Sequence, residues 1–339
     1  MVRAKMPFLQ PNHSNHVLNH AVSVAVAVIT QVISDIFFVL GKDSSVPNAL
    51  FQTSFREVSE TFPLEVTMDW WSENYCIIID LWSKAWLLDA VVNLCRRNVF
   101  GPVSCNPELH PPVFYQLWAT VNIARMYSMY LWSRQFILGA VLLQWIPPVF
   151  SFCMLYMSYS NLSKHKAWLA INSPSMISRI RYLTQNGLAL FAWWSLLNAL
   201  VGLGVVLKHK AGVPDPLVST IVLTIVSLCI ITWFVLQTFL LTKYMCHTFT
   251  VYAVVVMSLG SMFTRSYHIR DLAANTVYCG FIMLMTTIMS LIHLVTVCLC
   301  TDESSKPLVM EPLKFDDCVT VCQLEGSVKN NQLYNRHQI

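Results

Sequence analysis

The chain has 339 residues, 55% of them hydrophobic and 12% charged, with a formal net charge of +4 and a mean hydropathy of +0.53. A soluble domain carries about 25% charged residues, so this composition excludes an ordinary soluble globular fold. The positive charge is mild and no Lys/Arg run could track a phosphate backbone, which excludes a nucleic-acid-binding protein.

The apolar residues fall in runs of about 20, the length that crosses a hydrocarbon core. The chain therefore reads as an all-α, polytopic integral membrane bundle. Residues 1–16 are a polar, His- and Asn-rich tail with no apolar h-region of a cleavable signal peptide. Residues 17–300 form the bundle, and 301–339 form a polar tail without helical periodicity, read as flexible and cytoplasmic. Eight membrane helices are predicted, over 17–40, 76–94, 113–132, 135–159, 183–207, 216–242, 245–263 and 272–300. The first also acts as a signal anchor. The long loop 41–75 is polar and acidic. Pro147-Pro148 should kink the fourth helix, and Pro216 suits a first helical turn. Only Ser133-Arg134 joins the third helix to the fourth, which predicts a tight hairpin.

Lys/Arg counting orients the chain. The side holding the N-terminus (side A) collects 13 of these residues, among them Arg96, Arg97, Arg179 and Arg181, against 7 on side B. The positive-inside rule places side A, and with it both termini, in the cytoplasm. Most cysteines fall at or beyond side A and none pair in the side B loops, so no disulfide framework is expected. Cys298 and Cys300, at the end of the last helix, are candidates for palmitoylation, with reduced thiols as the plainer alternative. The sequons at Asn12 and Asn161 would face the cytoplasm unused.

The stretch 67–91, TMDWWSENYCIIIDLWSKAWLLDAV, organises the bundle. At 100° per residue Asp80, Lys84, Leu87 and Val91 form one stripe, and Trp82, Trp86, Asp89 and Asn93 another, roughly opposite. Charge on two faces demands enclosure by other helices. At 1.5 Å per residue Asp80 lies ~6 Å and Lys84 ~12 Å from the side B boundary, with Asp35 at ~8 Å and Arg125 at ~12 Å. Two acids and two bases at similar depth predict a charge cluster of Asp35, Asp80, Lys84 and Arg125, with Asp80–Lys84 also an i,i+4 pair. Such a cluster serves either as a polar path and ligand anchor or as a clamp between helices. Asp89 and His293 both lie ~8 Å from side A, and a pair there would hold a proton near neutral pH; a structural hydrogen bond is the alternative, as is Arg96 reaching toward Asp89. Trp82 and Trp86 are candidates to stack on a flat ligand, with Asp89 and Asn122 beside them; packing is the alternative. Asn122, Gln144 and Asn198 suit interhelical hydrogen bonds. There is no P-loop, GxGxxG, HExxH, CxxC or GxSxG, and no metal, haem or other cofactor is expected.

Several segments resemble the tryptophan-rich TspO/MBR (translocator-protein-like) group, as a divergent animal member. The carriers are Thr67, Trp71, Ile79, Trp82, Trp86, Leu87 and Leu88, then Cys95-Arg96-Arg97-Asn98, Phe114-Tyr115-Gln116-Leu117-Trp118, Asn122 and Leu131-Trp132-Ser133-Arg134. Gln185-Asn186-Gly187-Leu188-Ala189-Leu190, Trp233-Phe234-Val235-Leu236 and Lys243-Tyr244 leading into Thr250-Val251-Tyr252 follow in the same order. The likeness runs from about Asn48 to Leu299 and rests on many weak matches. Met68 replaces a proline of the pattern, Cys76 a ring position, Asp80 and Asp89 tyrosines, and Lys84 a small residue. The resemblance implies a non-enzymatic protein that binds or transports a flat apolar molecule, porphyrin- or sterol-like, between its helices. Membrane lipid is the implied surrounding, and a homodimer is an arrangement open to it. A seven-helix-type receptor and a structural membrane protein without ligand are the competing readings.

Overall fold

The computed structural model describes residues 11–42, 51–98, 101–105, 107–267 and 273–304. The described residues form an all-α membrane bundle whose only strand pairing is a two-residue hairpin, Arg97–Asn98 against Gly101–Pro102. Among the described residues, five segments are long and apolar enough to span a membrane: Asn15–Lys42, Ile137–Asn172, Pro174–His209, Asp215–Leu240 and Ala274–Cys298.

The helices are α1 (Pro11–Lys42), α2 (Phe55–Thr61), α3 (Glu73–Cys95), α4 (Pro112–Ser133), α5 (Ile137–Gln144), α6 (Ile146–Asn172), α7 (Pro174–Arg179), α8 (Asn186–His209), α9 (Asp215–Val235), α10 (Thr242–Met245), α11 (Thr250–Ser266) and α12 (Ala274–Ser304). Each of the eight expected helices has a counterpart, but the boundaries differ for physical reasons. The fourth runs as one span, Ile137–Asn172, whose hydrogen bonding lapses for one residue at Trp145, which keeps helical φ −81° and ψ −19°. Its Pro147-Pro148 pair sits in the first turn of α6, where missing N–H groups cost nothing, and α5 ends at Gln144 before it. Helix α6 then runs on through a polar stretch to Asn172, well past the expected end. Pro216 occupies the first turn of α9 as expected. Residues 301–304, read as tail, continue α12; the rest of that tail and residues 1–10 lie outside the described residues.

Two departures bear on the site. The loop expected to be only polar contains α2, closed by a capping box in which Ser54 Oγ accepts from the Glu57 N–H and Glu57 Oε2 accepts from the Ser54 N–H. Two segments, Ile180–Gln185 before α8 and Leu236–Leu240 after α9, are π-helical turns. The short α4–α5 connection ends α4 in a Schellman arrangement: the Phe136 N–H donates to Leu131 O and the Gln135 N–H to Trp132 O, with Gln135 at φ +59°.

The core lies among α3, α4, α6, α8, α9 and α11, around Trp86, Trp118, Trp193 and Tyr252, all at most 2% exposed. Helix α8 is the most enclosed of the long apolar segments, because Gly187, Gly202 and Gly204 let neighbours approach it. A Cβ on Gly187 would stand 2.6 Å from Trp82 Cδ1 and 3.1 Å from Trp82 Nε1, and the Trp82 indole N–H donates to Leu183 O at 3.0 Å. Gly187→Ala is expected to force that ring off its hydrogen bond and cost ~1–3 kcal/mol, the usual range for overpacking. A lowered midpoint of thermal unfolding in detergent checks it.

Candidate functional site: a cavity walled by an ion pair

Helix α3 enters the bundle carrying Asp80, Lys84 and Asp89, and each charge meets a different neighbour. Arg125 on α4 places Nη1 and Nη2 3.4 Å from Asp80 Oδ1. Lys84 Nζ lies 2.9 Å from Asp35 Oδ2 on α1. Arg179 donates to Asp89 Oδ1 at 2.9 Å, and Asn93 Nδ2 to Asp89 Oδ2 at 2.8 Å. The four residues Asp35, Asp80, Lys84 and Arg125 thus come together as two cross-helix pairs. The i,i+4 pairing of Asp80 with Lys84 does not form, because each has a partner on another helix. Asp35 also accepts from Gln31 Nε2 at 2.9 Å, and Gln31 Oε1 accepts from the Trp118 indole N–H at 3.2 Å.

The Asp80–Arg125 pair lies in the wall of a cavity of about 360 Å³ bounded by α2, α3, α4, α8 and the α5–α6 junction. Its walls are mainly apolar and include the rings of Phe38, Phe55, Phe62, Trp132, Phe191 and Trp194. The Arg125 guanidinium stands 5.3 Å from the Phe191 ring centroid. Gln144 and Asn198 supply further polarity, and Gln144 Oε1 is buried without a hydrogen-bond partner. Gly202 makes room for that amide, since a Cβ there would meet Gln144 Oε1 at 2.6 Å. Helix α2 closes the wall with Phe55, Val58, Ser59 and Phe62. The size falls within the range of small-molecule sites, and the balance of apolar wall and few polar groups matches their usual chemistry.

Four sequence-based expectations differ from the structure here. Trp82 and Trp86 do not line this cavity. Trp82 is hydrogen-bonded to Leu183 O, and Trp86 is 2% exposed with its faces met edge-on by Phe114 and Trp118 at 5.8 and 5.1 Å. Both residues pack the core, and the cavity that Trp86 borders, about 30 Å³, is too small for a flat ligand. Asp89 and His293 do not pair. Arg179 and Asn93 hold Asp89, while His293 Nε2 lies 3.0 Å from Gln237 Nε2 on the π turn after α9. Asn122 is fully buried, outside the large cavity, and makes no interhelical bond. Asn198 bonds within its own helix, to Trp194 O, rather than across helices.

A second, smaller cavity of about 30 Å³ lies among Trp86, Asp89, Asn93, His110 and Thr184. Burial and the neighbouring His20 hold the His110 imidazole down at about 4, so it is neutral at pH 7. Among the described residues no group of His, Cys, Asp and Glu is arranged to hold a metal ion. Cys298 has an exposed thiol, and the Cys300 side chain lies outside the described ones.

No family model, no curated protein and no solved structure matches the chain.

Sequence reasoning missed Gln31, Arg179 and α2. Gln31 stands one turn before Asp35 on α1, and Ser54-x-x-Glu57 is a legible capping signature, so both left a signal. Arg179 left none, because it reaches Asp89 from a separate short helix.

Both members of the Asp80–Arg125 pair are largely buried, with side chains 10% and 19% exposed. Asp80→Leu alone strands the Arg125 charge and is expected to cost ~3–5 kcal/mol, whereas Asp80→Leu with Arg125→Leu recovers most of that loss. Thermal unfolding of the two single variants and the double variant is the measurement. A double variant no more stable than Asp80→Leu would show that the two residues are not coupled.

Proposed function

We propose that this membrane protein binds an amphipathic, mainly apolar small molecule between its helices, in the manner expected of a TspO-like protein. The molecule's apolar body lies against Phe55, Phe62, Trp132, Phe191 and Trp194. Its polar end meets the Asp80–Arg125 pair and Gln144. The observation that carries this reading is the unpaired, buried Gln144 amide oxygen beside an ion pair in the wall of a mainly apolar cavity. A buried acceptor without a partner costs about 1–3 kcal/mol, and a donor on the ligand recovers it. The pair is neutral overall, which favours an uncharged ligand with donor and acceptor groups over an ion. The reading is non-enzymatic, with side A and both termini cytoplasmic and Cys298 and Cys300 available for acylation at that face.

A structural role without ligand is the second reading. It is favoured by Asp35–Lys84 and Asp89–Arg179, which tie helices together outside the cavity.

The test is thermal unfolding of the purified full chain against porphyrins, sterols and smaller amphipathic compounds. A ligand at 100 times its Kd stabilises the native state by ~2.7 kcal/mol. Wild type is expected to shift with one compound class. Ser195→Trp, which fills the cavity, should lose that shift, and Trp82→Ala should keep it despite a lower starting midpoint. No shift with any compound, or a shift that survives Ser195→Trp, rejects the cavity as the site.

A further inference from the structure

Two arginines stand two residues apart before α8, and the bundle uses them differently. At that spacing on continuous helical turns they point to roughly opposite sides. Arg179 turns inward and pairs with Asp89 of α3. Arg181, in the π turn Ile180–Gln185, turns the other way and places Nη1 3.1 Å from His247 Nε2, in the link between α10 and α11. A guanidinium carries only donors, so the ring nitrogen accepts and this imidazole is neutral in the contact. Lys166, exposed near the end of α6, also acts on the charge of the His247 ring, as does His293. The carboxylates inside the bundle serve other bases: Asp35 meets Lys84, Asp80 meets Arg125, Asp89 meets Arg179 and Asp215 meets Lys208. Among the described residues Arg181 and Lys166 have no carboxylate partner.

A buried scaffold sets these groups in place. Asn186 is fully buried; its Nδ2 donates to Arg181 O and to His247 O, each at 2.8 Å, and its Oδ1 accepts from the Phe249 and Thr250 N–H groups. One amide thus fixes the backbone that carries Arg181 against the backbone that carries His247. Lys166 precedes the end of α6, Arg181 the start of α8 and His247 the start of α11, so all three lie at helix ends, the level at which headgroups meet a bundle. Exposed rings border the same spot. The Tyr182 ring stands 6.4 Å from that of His247 and 6.3 Å from that of Phe249, and Tyr182 and Phe249 are 50% and 41% exposed. Positive charge without a counter-charge, beside open apolar surface, suits a phosphate that carries an apolar tail. The guanidinium offers a fork of donors to phosphate oxygens, and the ammonium adds a point charge. Two fixed positive charges match a phosphomonoester, which carries about −1.5 to −2 at pH 7.

We propose that Lys166, Arg181 and His247 bind the phosphate headgroup of an anionic phospholipid, with Tyr182 and Phe249 against its acyl chains. None of these residues lines the large cavity, so the site does not rest on the small-molecule reading above and its failure leaves that reading untouched.

The experiment follows thermal unfolding of the purified full chain in nonionic detergent with added short-chain lipid. The probe is dioctanoyl phosphatidic acid, with dioctanoyl phosphatidylcholine and inorganic phosphate at the same concentrations beside it. Wild type is expected to gain a concentration-dependent rise in midpoint with phosphatidic acid and none with the other two. Lys166→Gln and Arg181→Gln should each weaken the apparent affinity about tenfold or more, the loss of one charge-assisted hydrogen bond. Lys166→Arg keeps the charge and should keep the response, as should Lys164→Gln, which removes an exposed charge elsewhere on α6. Arg181→Gln also loses the His247 contact and starts from a lower midpoint, whereas Lys166 is exposed and its variant starts from that of wild type. No rise with phosphatidic acid overturns the proposal, and so does an equal rise with phosphatidylcholine. An equal rise with inorganic phosphate shows a free-anion site and overturns the lipid assignment. A wild-type response in either glutamine variant overturns the site.

Discussion

The bundle depends on how the three charges inside α3, Asp80, Lys84 and Asp89, are enclosed in an apolar medium. An isolated charge in such a medium is very unfavourable, and each of the three is met by one of opposite sign on a different segment. Asp80 takes Arg125 of α4, Lys84 takes Asp35 of α1, and Asp89 takes Arg179 of α7. Buried pairs add little net stability compared with apolar packing, but mispairing them is costly. Three such pairs at three levels therefore fix the rotation and depth of α3 relative to its neighbours far more sharply than leucine packing would. The apolar helices around it then fill the remaining space, helped by the close approach that Gly187 and Gly202 allow.

The same constraint explains where the cavity sits. Arg125 reaches Asp80 across a gap bordered by Phe191, Trp194 and the α5–α6 junction. Pro147-Pro148 cannot continue the hydrogen bonding of α5, so it lapses at Trp145, next to Gln144, which faces Gly202. The lapse, the glycine and the ion pair together make room that the aromatic residues of α2 and α4 then wall.

Much of this was legible in the sequence and some was not. Helix number and approximate limits follow from apolar runs, because the membrane enforces their length. The membership of the charge cluster follows from depth counting, since an intramembrane charge must find a partner near its own level. The pairing within it does not follow: Asp80 and Lys84 are i,i+4 neighbours, and only the positions of α1 and α4 decide that each turns elsewhere. Depth alone also suggested Asp89–His293, and failed because two groups at one level need not share a side of the bundle. Trp82 and Trp86 misled for a related reason. An indole in a membrane helix looks the same in sequence whether its face meets a ligand or the edge of another ring, and here Phe114, Trp118 and Gly187 take those faces.

Two buried amides show how the bundle satisfies polarity where its helices end. Toward side A the π turns before α8 and after α9 adjoin Asn186 and Gln237, and those amides stitch the segment from Met245 to Thr250 into place. A π turn inserts a residue into a helix, shifting the register of side chains beyond it, and is frequent where function demands a particular orientation. Here the shift brings two amides onto backbone groups of a connecting loop, which rigidifies that end.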